Sequence, residues 1–99
     1  MPLHRYGFIV KHTDLDMFKH HARLQSESFD MSIAGVSDVL HAQLVAQEMI
    51  TKGVQLIELC GGFTQEDAQS IREAIKHHIP VGVVHYTDDE RQALSEHLA

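Results

Sequence analysis

The chain has 99 residues, 43% of them apolar and 22% charged, the composition of an ordinary folded protein, and one domain over residues 1–99 is expected. Fourteen acidic residues against eight basic ones give a formal charge of −6, and no Lys/Arg run is present, which argues against nucleic acid as a partner. No apolar run is long enough for a membrane span or a signal-peptide core. The single cysteine, Cys60, excludes an internal disulfide framework, so a cytoplasmic protein is expected.

Arg5–His12 is short and rich in β-branched and aromatic residues, which predicts a strand. Thr13 with Asp16 has the form of a capping box, and Leu15, Phe18 and Ala22 make one apolar face, so a helix is predicted over Thr13–Gln25. In Phe29–Val36, Phe29, Met31 and Ile33 alternate with polar or small residues, the pattern of a half-exposed edge strand. Ser37 is positioned to cap a helix over Asp38–Lys52, with Val39, Ala42, Ala46, Met49 and Ile50 as its buried stripe and Gly53 as its stop.

Val54–Cys60 reads as a third strand, and Gly61-Gly62 as the turn after it. Thr64 and Asp67 cap a helix over Gln65–His78 with an Ala68, Ile71, Ile75, Ile79 stripe. Pro80 closes that helix, Val81–Tyr86 is a fourth strand, and Thr87 with Glu90 opens a last helix near Asp88–Leu98. Four successive βα units predict an α/β fold: a three-layer sandwich around a four-stranded, mainly parallel sheet, Rossmann-like or half a flavodoxin, in the order 2-1-3-4. A ferredoxin-like α+β sandwich is the alternative. It needs a hairpin where the helix at 38–52 is predicted.

Ligands of open parallel sheets bind beyond the carboxyl ends of the strands. Those ends hold His12, the Cys60-Gly61-Gly62-Phe63-Thr64 turn and His85. Glu58 interrupts an apolar strand and shares a face with Leu56 and Cys60. A carboxyl in such a place must find a partner or take up a proton, and it is a candidate general acid or base as well as a candidate structural ion pair. Cys60 precedes a helix N-terminus, where a thiolate is favoured, and a nucleophile with His12 or His85 as base is one reading; a small packed side chain is the ordinary one. Gly61, Gly62, Phe63 and Thr64 have the form of an anion cradle, and equally of a tight turn feeding a capped helix. His12, Glu58, Cys60 and His85 are potential zinc donors without any metal-site spacing, so neither a metal nor a cofactor is expected.

Val54–Phe63 (VQLIELCGGF), the helix after it and Pro80–Val84 resemble a family of bacterial proteins of about this length, classed as a domain of unknown function. The most distinctive part is Glu58-Leu59-Cys60-Gly61-Gly62-Phe63. The resemblance implies an α/β fold and no reaction. The leading expectation is a protein that binds a small anionic metabolite at the Gly61-Gly62 turn, with His12, Glu58 and His85 completing the pocket. One alternative is a small enzyme using Cys60 or Glu58, with His85, on a carbonyl or phosphorylated substrate. Another is a homo-oligomeric interaction module, since a four-stranded sheet leaves two edges and burying one in a homodimer would stabilise so small a domain, with Phe29, Met31 and Ile33 contributing.

Overall fold

The computed structural model describes residues 2–99. In chain order it contains β1 (Arg5–Lys11), β2 (His21–Gln25), β3 (Asp30–Val36), α1 (Val39–Thr51), β4 (Leu56–Leu59), α2 (Gln65–Ala74), β5 (Val81–Val83) and α3 (Asp88–Leu98). The strands form one sheet in the order β2-β3-β1-β4-β5. Strands β3, β1, β4 and β5 are mutually parallel, and β2 joins β3 antiparallel. The four expected strands therefore lie in the expected order. The expectation of four strands in four βα repeats is corrected to five strands and three helices.

The first repeat is where the pattern breaks, because Thr13–Gln25 is not a helix. Local side chains capture its backbone donors: His12 Nδ1 accepts from Asp14 N, Asp16 Oδ1 from Phe18 N, and His20 Nδ1 from Asp16 N. Such bonds offer the backbone an alternative to a helix. A single turn closes at His20, whose N–H donates to the Asp16 carbonyl. Beyond it, His21, Arg23 and Gln25 alternate with Ala22 and Leu24, a strand period hidden inside the three-residue apolar stripe. Strand β3 is consequently internal rather than an edge, and β2 takes the edge.

Asp38, not Ser37, caps α1, its carboxylate accepting from His41 N. Ala42, Val45, Ala46 and Met49 form the buried stripe of α1, while Val39 and Ile50 flank it. Gly53 takes a φ of 81° just past the helix, the left-handed conformation that glycine adopts most cheaply. Helix α2 stops at Ala74, short of the expected His78, because Lys76 and His77 both enter the left-handed region. Strand β5 likewise ends at Val83 rather than Tyr86.

The crossovers from β3 through α1 to β4, and from β4 through α2 to β5, step across the sheet in the same direction. With right-handed crossovers they put both helices on one face. There α1 packs on β1 and β3, α2 packs on β5, and the helices touch each other. Under them lies the core: Ile9, Val36, Ile57, Leu59 and Ile71 are completely buried. Gly7 lets Met49 pack closely on β1, since an added Cβ would lie 2.6 Å from Met49 Sδ and force that side chain to shift.

The opposite face carries the alternate residues of every strand: Leu24, Met31, Ile33, Tyr6, Phe8, Val10, Leu56 and Glu58 by the pairing register. A helix after β1 was expected to cover it. The turn that stands there covers one corner only, with Leu15 lying over Gly35. A Cβ added at Gly82, at the far side of the same face, would meet nothing within 4 Å. The three-layer expectation is thus corrected to two layers with one sheet face open. Helix α3 does not supply the third layer, since all of its residues are exposed.

Candidate functional site

The carboxyl ends of the parallel strands bring the predicted segment Cys60–Thr64 beside the end of β1. The backbone N–H of Cys60 continues the ladder to the Ile9 carbonyl. The next donor, Lys11 N, goes to Cys60 Sγ at 3.3 Å instead of to a carbonyl, because the Cys60 carbonyl has turned away to accept from Phe63 N. The thiol therefore closes the ladder as an acceptor, half-buried against the core. Phe63 is buried, and Lys11 Nζ sits 5.3 Å from its ring centroid.

Thr64 and Asp67 form the predicted capping box: Asp67 N donates to Thr64 Oγ1, and Thr64 N donates to Asp67 Oδ2. Those two N–H groups are ones that an anion at this helix terminus would use, and a carboxylate of the chain already occupies one of them. Lys11 Nζ, 3.7 Å from the same Oδ2, partly balances that carboxylate, and Glu66 adds a second negative charge to the first turn. Gly61 lies under Tyr86, whose ring would be 3.0 Å from an added Cβ, and a Cβ at Gly62 would sit 3.5 Å from Cys60 Sγ. A side chain at 61 would need the Tyr86 ring to give way, whereas one at 62 would make ordinary contact.

His12 and His85, the other predicted members, are at the same end of the sheet. His12 Nδ1 accepts from Asp14 N, and both histidines are exposed. Among the described residues, no group of three or more His, Cys, Asp or Glu side chains is placed to hold a metal ion. No helix among them is long and apolar enough to cross a membrane.

Glu58 faces away from the helices, on the open sheet face. One of its carboxylate oxygens accepts the hydroxyl proton of Tyr6 from neighbouring β1. Tyr6 also stacks on Phe29, with centroids 6.3 Å apart. Burial, and then the hydrogen bond and negative charge of Glu58, push the Tyr6 phenol up to about 12. A raised pKa favours the neutral phenol in the fold, so this contribution is intact below the ordinary value near 10 and lost as pH rises to about 12. In a Tyr86→Phe variant Tyr6 is the only tyrosine, and ultraviolet titration is expected to show one transition near 12. Adding Glu58→Gln should move that transition toward 10; an unmoved transition would show that the pair is not formed.

Sequence reasoning named Glu58 but missed Tyr6 as its partner. The alternation of β1 was visible, but the register that sets Phe8 beside Glu58 and Tyr6 one step away belongs to the folded sheet.

Residues 4–99 match the model of a family of unknown function (DUF6506), and the chain belongs to that family. The expectation of a small domain of unknown function is borne out at that level. No curated protein matches the chain, and no solved structure does.

Proposed function

We propose that this chain is a homodimeric interaction module in which a second copy covers the open sheet face. The observation that carries the reading is the asymmetry of the sheet. One face is covered by α1 and α2 over all but β2, while the other presents apolar side chains from four strands in continuous register. Leu24 is exposed and the other side chains of the face are half-buried, and a contiguous apolar patch with no layer packed on it marks an interaction site.

Strand spacing and rise give the open face a footprint of roughly 20 by 20 Å, on the order of 400 Å² per copy. A stable interface takes about 800 Å² per partner. We infer that the remainder comes from α3, which carries the exposed Leu94 (45%) and Leu98 (73%) one turn apart. A second copy brings the same two features in self-complementary form, as a two-fold contact requires. The strands place one carboxylate on the face, and the Tyr6 hydroxyl satisfies one oxygen of Glu58 before any partner arrives.

The anion cradle and the Cys60 nucleophile receive less support. The helix terminus is capped from within, and the thiol serves as a ladder acceptor. Sedimentation equilibrium of the intact chain, from micromolar to near-millimolar concentration, tests the proposal. The expected result is a reversible dimer whose fraction rises with concentration. A monomer at every concentration would overturn it.

A further inference from the structure

A separate feature lies on the helix-covered side, away from the proposed dimer face. Helix α1 packs on β1 and β3, leaving the same face of β2 beyond its reach. Between α1 and β2 runs a groove of about 380 Å³, within the range of roughly 300–1,000 Å³ of small-molecule sites. Its apolar lining comes from Met17, Phe18, Val45 and Met49. The two thioethers are flexible and adapt to irregular ligands. Phe18, expected in a buried helix stripe, is instead 78% exposed at the edge of this groove.

One end of the groove is charged. A second cleft of about 430 Å³ adjoins the first, with Arg23, Ser32 and Lys52 lining both, and it adds Arg5 and Asp30. Arg23 is held by Asp30 in a two-pronged bond of 2.8 and 2.5 Å, and Lys52 by Glu48 at 2.9 Å. Among the described residues the Arg5 guanidinium has no carboxylate within ion-pair distance. Three cations thus meet two carboxylates, leaving one positive charge in excess in a chain of net charge −6. Arg5 acts on Asp30 through its charge without a direct ion pair, and an apolar trough beside a guanidinium with free donors is complementary to an amphipathic monoanion.

We propose that the groove between α1 and β2 binds an apolar carboxylate, its chain along Met17, Phe18, Val45 and Met49 and its head group on Arg5. The capped α2 terminus takes no part, and the four side chains named here are not those of the proposed dimer face, although Ala22 and Ile33 also border the groove. The site therefore stands whether or not the chain dimerises.

Decanoate is the probe, followed by calorimetry and by amide chemical shifts of the full chain. The expected result is saturable binding with shifts clustered in residues 17–23 and 45–52. Arg5→Gln should weaken binding at least tenfold, and Phe18→Ala should weaken it several-fold. Both residues are exposed, so both variants should keep the native circular dichroism. Decylamine, which lacks the anionic head, should fail to compete. Three results would each overturn the site: no saturation below the solubility of decanoate, an affinity unchanged by Arg5→Gln, or shifts confined to Phe8 and Leu56 on the open sheet face.

Discussion

Replacing Ile57 with alanine is expected to lower the melting temperature by about 10–25 °C at fixed protein concentration. Ile57 is completely buried on β4 and belongs to the cluster that includes Ile9, Leu59 and Ile71. Its neighbours in register are Gly7 and Val81, so deleting three carbons opens a cavity between the sheet and the helices. Such deletions cost about 2–5 kcal/mol, out of a total stability of about 5–15 kcal/mol for a chain of this size. The loss is a large share of what holds the fold. A melting temperature within two or three degrees of wild type would show that the helix-covered face is not the core.

Ile33→Glu is expected to do the reverse: to spare the fold and abolish assembly. Ile33 lies in the middle of the open face, beside Phe8 and opposite Ala22. In a single copy water reaches that face, so a carboxylate there stays hydrated and the circular dichroism should remain native. Against a second copy the charge would be desolvated without a partner. Association should weaken about 100-fold or more, consistent with truncations of buried charge pairs that cost several kcal/mol. Sedimentation of this variant at the concentration where wild type dimerises reads the effect directly. A dimer of unchanged strength would place the contact elsewhere.

The contrast between these substitutions follows from how the chain encodes its two faces. The helix-covered face was legible in the sequence wherever a single period ran uninterrupted. The Ala42, Ala46, Met49 stripe and Gly53 define α1 and its end, the Thr64–Asp67 box starts α2, and the Thr87–Glu90 pair starts α3. Parallel pairing followed from the alternation and its short connections, but those rules leave several strand orders open, of which 2-1-3-4 was one. The segment after β1 was misread because Leu15, Phe18 and Ala22 satisfy a helical spacing while His21–Gln25 satisfies a strand spacing. The competition was decided by histidine and aspartate side chains bonding their own backbone. That one segment also decides whether the sheet is covered on one face or two.

The candidate site was legible as a set of residues but not as an arrangement. Cys60, Gly61, Gly62, Phe63 and Thr64 do sit at a strand end before a helix, as alternation and turn chemistry required. Their roles depend on which donor reaches which acceptor across β1 and β4. No local pattern shows that the Lys11 N–H meets a sulfur, or that Asp67 fills the terminus. The α1–β2 groove was invisible for the same reason. It exists only because β2 extends the sheet past the helix layer.

A second copy lying on the open face makes contacts that one measurement detects directly. Isotope-filtered NMR on a mixture of labelled and unlabelled chains detects proximity between different molecules only. The expected result is a set of intermolecular contacts joining the methyl groups of Met31, Ile33 and Leu56 to the rings of Tyr6 and Phe8 of another copy. Intermolecular contacts confined to other surfaces, or none at concentrations where sedimentation finds a dimer, would contradict it.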